Sequence, residues 1–438
     1  MNIVFFTLVL VAFCVAAYRQ ILWTPNDTDT LSPMEILGNG MIEAAKDSVT
    51  LALGLIGVMA LFLGLMKVAE AGGLLSIIAR LVRPLMVRLF PDIPDDHPAM
   101  GAMIMNMSAN AMGLGNAATP FGIRAMQELD RLNPHKGSAT NAMALFLAIN
   151  TSSVTLLPTG VIALRAAAGS VDPAGILPTT LFATLCSTVA AIAAAKIYQR
   201  YFSWPPQPSG PKTEIDSTFQ VEDPRGSDTA EVIPAEASVA YPAWISYLAL
   251  VSLVSLIPLA IIFGSAVGAW IIPALMLLLL GFGVVRGVQV YESFVEGARE
   301  GFQVAVRIIP YLVAILVAVA MFRQSGAMEL VIGPLGALTS LVGLPGEALP
   351  MALLRPLSGS GAYGVLAATI QDPAIGPDSY VGYLVSTLQG STETTFYVLA
   401  VYFGAVQVRR IRHALAAGLT ADLAGIIGAV VACSYLYG

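Results

Sequence analysis

Charge is what this chain lacks most. Of its 438 residues, 11% are Asp, Glu, Lys or Arg and 56% are hydrophobic, whereas a soluble domain carries about 25% charged residues. That balance excludes a soluble globular protein and predicts an integral helical membrane protein. Cysteine and histidine are also scarce, three of each. Cys14, Cys186 and Cys433 lie inside apolar runs and form neither a disulfide framework nor a metal pattern. His97, His135 and His413 are scattered near segment ends and read as structural or interfacial. No metal and no cofactor is expected. The net charge of −6 leaves no basic surface, which argues against nucleic acid as a partner. Catalytic patterns are missing as well. GLGNAAT (Gly113 to Thr119) lacks the Lys-Ser/Thr of a phosphate loop, and Ser360 has no nucleophile-elbow context. No catalytic residue is nominated, and an enzyme is not expected.

What is present is a series of apolar runs, each near the roughly 20 residues that cross a bilayer. Candidate spans fall at 1–18, 46–68, 139–165, 174–197, 241–263, 266–286, 299–322, 379–403 and 413–436. The first lacks the basic n-region of a signal peptide and is read as an uncleaved span. Two further stretches, 98–121 and 346–370, are crowded with Gly, Pro, Asn and Ser and read as re-entrant hairpins. Leu74 to Phe90 sets Arg80, Arg83 and Arg88 among large apolar residues, the pattern of a helix lying in the interface. Residues 203–238 hold six prolines, seven acids and two bases and read as a flexible linker. It separates a first repeat, 1–202, from a second, 239–438.

Loop charge orients the chain, because Lys and Arg favour the cytoplasm. Arg124, Arg131 and Lys136 mark one cytoplasmic loop, and Arg409, Arg410 and Arg412 another. Loops 166–173 and 371–379 carry Asp172, Asp372 and Asp378 without a base and suit the outside. The N-terminus is then cytoplasmic and the C-terminus outside. The halves can also be overlaid. Glu43 to Lys46 falls on Glu296 to Arg299, Gly72 on Gly326, Phe90-Pro91 on Leu344-Pro345, and Asn150 to Thr155 on Gly390 to Thr395. Matching loops then carry opposite charge character. The expected fold is an all-α integral membrane protein of two inverted-topology repeats, about nine transmembrane helices plus two re-entrant hairpins.

Each half places hydrogen-bonding residues where lipid tolerates only hydrocarbon. Such backbone survives at depth only when buried in protein or lining a wet cavity. The first hairpin offers Asn106, Ser108, Asn110, Asn116 and Thr119, and its broken span offers Asn150, Ser152, Ser153 and Thr155. The second hairpin offers Arg355, Ser358 and Ser360, and its span offers Gln389, Ser391, Thr392, Glu393 and Thr395. These are the candidate substrate-binding residues. Their bland role is packing between helices. Charges expected at depth are Arg307, Arg355, Glu393 and Asp422, each costly there unless paired or wet. Arg355 and Glu393 should lie near one another. Glu393, and less strongly Asp422, are candidates for coupling to protons.

Two pairs of motifs carry a family resemblance. FPDIPDDHPAMG (Phe90 to Gly101) and GLGNAATPFG (Gly113 to Gly122) resemble spore maturation protein A. RPLSGSGA (Arg355 to Ala362) and QGSTETTFYVLAVYFGAV (Gln389 to Val406) resemble spore maturation protein B. Both belong to the nucleoside-recognition, or Gate, domain group. The resemblance implies a bacterial inner-membrane protein in which two chains that are usually separate are fused. The expected function is transport of a small polar solute, a nucleoside or an amino-acid-like compound. The alternative is a non-transporting scaffold or sensor for envelope or spore maturation. Partners are that solute and membrane lipid, and the sequence leaves room for a homo-oligomer.

Overall fold

The computed structural model describes residues 2–24, 31–152, 154–202 and 241–438. Ser153 and the expected linker lie outside the described residues, as do some side chains within helices, Asn116 and residues 256–269 among them. Among the described residues every regular element is helical. Before residue 203 come α1 (Asn2–Leu22), α2 (Pro33–Ala71), α3 (Leu74–Leu89), α4 (Pro98–Ala111), α5 (Gly115–Arg131), α6 (Asn141–Ser152), α7 (Thr159–Ala167) and α8 (Leu177–Tyr198). After residue 240 come α9 (Ala243–Val285), α10 (Val290–Gln324), α11 (Ala327–Thr339), α12 (Leu349–Leu354), α13 (Gly359–Gln371), α14 (Tyr380–Ser391), α15 (Thr395–Ala405) and α16 (Ala414–Tyr437).

Local chemistry sets several of these ends. Ser32 and Glu35 form a capping box at the start of α2, with Pro33 in the first helical position. Ser358 and Ser379 each accept a backbone N–H three residues on, at 3.0 Å, and so cap α13 and α14. Gly73 (φ 82°) turns the chain from α2 into α3, and Gly326 (φ 81°) turns it from α10 into α11. Only glycine takes that left-handed backbone freely. The counterpart of Gly326 is therefore Gly73, one residue beyond the Gly72 that the sequence overlay pairs with it.

Among the described residues four helices, α1, α2, α8 and α16, are long and apolar enough to cross a membrane, and a pair bent by 104° at Gly333–Val342 and Gly346–Leu354 makes a fifth if it counts as one span. Bare apolar side chains such as Trp270, Leu277, Leu423 and Ile427 are more than half exposed, a surface that suits lipid. The chain is a multi-pass membrane protein. The two crossings that the sequence predicts, at 241–263 and 266–286, are both covered by the 43-residue α9. A straight helix of that length would be about 64 Å long. Yet Tyr241 N meets Arg80 O at 3.4 Å and Arg286 Nε meets Gly72 O at 2.8 Å. Both ends thus return to the α2–α3 corner, so α9 is bent between them.

Helices from the two sides of the linker pack in antiparallel pairs. Gly40 of α2 lies against Gln324 of α10, and Gly64 against Phe294. Gly297 and Gly301 bring these backbones close: a Cβ on Gly301 would lie 2.7 Å from Ala60 Cα. Likewise Ser187 Oγ of α8 donates to Ala421 O of α16 at 2.8 Å, and Tyr437 OH donates to Gly175 O at 2.6 Å. At one end of the molecule the two base-rich loops meet, with Arg409 N on Gly137 O and Ala139 N on Arg410 O, each at 2.9 Å. The two base-free loops meet at Asp378, whose carboxylate accepts from Ser170 Oγ at 2.5 Å and Val171 N at 2.8 Å.

Candidate solute site

The sequence breaks its helices where it places polar residues. α6 stops at Ser152 and α7 begins at Thr159; α14 stops at Ser391 and α15 begins at Thr395. Helix ends leave backbone groups without intrahelical partners, and some of these find partners across the breaks. Leu156 N donates to Ala111 O at 2.9 Å, tying the first broken helix to the tip of its hairpin. Phe396 N donates to Pro356 O at 3.1 Å and does the same in the second half. Glu393 N then donates to Thr151 O at 2.8 Å, joining the two breaks.

Around this junction lies a cavity of about 580 Å³, within the range of small-molecule sites. All four polar segments reach it. The first hairpin contributes Asn110 and Gly113, and the second contributes Arg355 and Tyr363. The broken helices contribute Thr155, Pro158 and Gly160 on one side, and Gln389, Thr392 and Glu393 on the other. Arg355 Nη2 lies 3.8 Å from the Glu393 carboxylate, so the two charges meet as expected. Arg355 also donates to Thr394 Oγ1 at 3.0 Å and to Thr392 O.

Several other nominated residues bond within the protein. Asn106 is fully buried and its Nδ2 donates to Ala118 O at 2.8 Å and to Tyr402 OH at 3.1 Å. Tyr402 OH donates to Asn150 Oδ1 at 3.4 Å, which also accepts Asn110 Nδ2 at 3.0 Å. This chain of bonds crosses between the halves. Ser108 Oγ and Ser152 Oγ return to carbonyls of their own helices at 2.8 and 2.9 Å. Ser391 Oγ does so more weakly, at 3.4 Å. Ser358 caps α13, and Ser360 is exposed beside it, with the two hydroxyls 3.5 Å apart. Thr119 is half-buried and is not among the cavity-lining residues. Thr395 Oγ1 donates to Asp422 Oδ2 at 2.6 Å. Arg307, expected at depth, is exposed on α10.

Three features escaped the sequence reading. Lys67 reaches the cavity between Glu70, Glu296 and Glu300, at 3.5, 3.7 and 3.6 Å, where α2 and α10 pass each other. The spacing of Lys67 with Glu70 and of Glu296 with Glu300 puts each pair on one helix face, a signal that was available. Tyr363 and Tyr402 left no such trace. Nor did Arg165, fully buried, which donates to Pro377 O at 2.5 Å and to Asp378 at 3.0 Å and lies 4.2 Å from the Tyr383 ring centroid.

The family model described as nucleoside recognition, Gate, matches residues 52–168 and again 305–409, half of the chain. The chain belongs to the Gate family. The two matched stretches contain all four polar segments of the cavity; α16 with Asp422 lies beyond them. Among similar Gate proteins, spore maturation protein A of Bacillus subtilis is 47% identical over 169 residues, which cover 39% of this chain and 84% of that protein. Spore maturation protein B of the same organism is 46% identical over 167 residues, covering 38% of this chain and 93% of that protein. No solved structure matches this Gate chain.

Proposed function

We propose that this Gate protein binds a small polar solute, of nucleoside or amino-acid type, and carries it across the bacterial inner membrane. The site lies between two inverted repeats, residues 1–202 and 239–438. The observation that carries this reading is the convergence of both hairpins and both broken helices on one cavity of about 580 Å³. Inversion is supported by the antiparallel course of α2 with α10 and of α8 with α16, and by the two separate matches to one family model. Placing the base-rich loops in the cytoplasm puts the N-terminus inside and the C-terminus outside.

A second reading, a non-transporting scaffold or sensor in spore or envelope maturation, draws on a different observation. Several nominated hydroxyls bond to their own helix, and the Asn106–Tyr402–Asn150–Asn110 chain is the kind of internal network that glues helices. A thermal-shift screen of the purified protein against nucleosides and amino acids, followed by uptake of the stabilising compound into proteoliposomes, separates the two. A bound solute raises the apparent Tm by mass action. Asn110→Ala, which opens the cavity wall, is expected to lower uptake at least tenfold while the protein still inserts. Unchanged uptake in that variant removes the proposed site; stabilisation without uptake favours the sensor.

A further inference from the structure

One side of the cavity brings acceptors together at the end of α14. α14 ends inside the molecule at Ser391. The carbonyls of a last helical turn lack intrahelical partners and carry the negative end of the helix dipole. Gln389, in that turn, lines the cavity; it is only 6% exposed, and its Oε1 has no hydrogen-bond partner. Glu393, two residues beyond the helix end, adds a carboxylate whose side chain is 44% exposed.

The neighbouring cation does not neutralise this wall. Two of the Arg355 nitrogens are engaged by Thr394 and Thr392. Behind Arg355 is a second void of about 10 Å³, bordered also by Asp422, Ser391 and Thr392, with room for about one water. Asp422 is 4% exposed, and its Oδ1 and the Arg355 Nε are both buried without partners. A single arginine thus stands between two carboxylates, Glu393 on the wide cavity and Asp422 on the narrow one. Lys67, the other cation of the cavity, is already surrounded by three carboxylates.

We infer that the solute of this cavity carries a protonated amine, seated between the Glu393 carboxylate and Gln389 Oε1 at the end of α14. This rests on the cavity being a solute site. An ammonium group supplies up to three donors and one positive charge, which suit the exposed Glu393 carboxylate and the unpartnered Gln389 Oε1. A hydroxyl in the same place supplies one donor and no charge. An anionic group would face Glu393 directly.

The test uses the full chain in detergent and three matched pairs that differ by a hydroxyl replaced with an amine: adenosine and 5′-amino-5′-deoxyadenosine, glucose and glucosamine, lactate and alanine. Apparent affinities come from the rise of Tm with ligand concentration. In at least one pair the amine is expected to bind at least tenfold more tightly than its parent. Glu393→Gln should bring that ratio close to one. Gln389→Met removes a buried, unpartnered acceptor, so it should leave the unliganded protein folded while weakening the amine several-fold and its parent little. Binding with no amine preferred over its parent in any pair, or an amine preference that survives in Glu393→Gln, overturns the inference and leaves the solute site standing. If neither member of any pair raises the Tm, both the inference and the solute-site reading fall.

Discussion

His413 is buried just before α16, with neither ring nitrogen hydrogen-bonded and the Phe202 ring centroid 6.0 Å away. Burial, and secondarily the charge of Arg412, push its pKa from 6.5 down to about 4. The folded protein therefore holds the neutral imidazole, while the unfolded chain takes up a proton below about pH 6.5. Stability from this residue is fully present above that pH, is lost progressively as pH falls toward 4, and changes little further below. The loss amounts to roughly 3 kcal/mol. His413→Leu is expected to flatten the fall of apparent Tm between pH 6.5 and 4; an equally steep fall in the variant would assign the acid sensitivity elsewhere. At this scale the sequence shows which residues are polar but not which reach the cavity. Asn106 and Asn110, four apart, share a helix face. Asn106 donates to Tyr402, 296 positions away, while Asn110 reaches the cavity. Nothing local to α4 distinguishes them.

Among elements, the interrupted helices were legible and the pairing of intact ones was not. Pro158 and Gly390, with the clustered hydroxyls around them, raise the cost of continuing a helix through either break, and the helices do stop there. α9 covers both expected crossings as one bent helix, its two ends returning to the same corner. The partner of α2 was hidden, because contact between α2 and α10 depends on glycines whose use shows only when the facing backbone is known. A side chain on Gly301 would press on Met59 O and Ala60 Cα, both 2.7 Å from its Cβ. Gly301→Leu is expected to lower stability by about 1–3 kcal/mol through overpacking, read as a drop of several degrees in Tm. Gly57→Ala, on the same α2 but with nothing within 4 Å of the added Cβ, should be silent. Equal effects of the two would show that the α2–α10 contact is looser than described.

At the scale of the molecule, each of the two large apolar cores draws on both sides of residues 203–240. One joins residues 79–149 to 398–421, and the other joins residues 51–62 to 312–388. Neither side closes a core alone. Residues 1–202 and 239–438 made as separate chains should therefore copurify through a tag on either one, and each expressed singly should aggregate or be degraded. Two halves that are each monodisperse alone and do not associate would refute this. Sequence charge sorted the loops into a base-rich pair and a base-free pair, and in the structure the members of each pair touch. The depth of the interlocking it did not show, because the apolar residues of both cores look alike.

The paired bonds Leu156 to Ala111 and Phe396 to Pro356 fasten each hairpin tip to its own broken helix, backbone to backbone. Neither hairpin is then a free flap. The transport proposed above would expose the chamber to one side and then the other, and that would require either unfastening one of these clasps or shifting a hairpin and its half-helix as a single block along the α2–α10 rail.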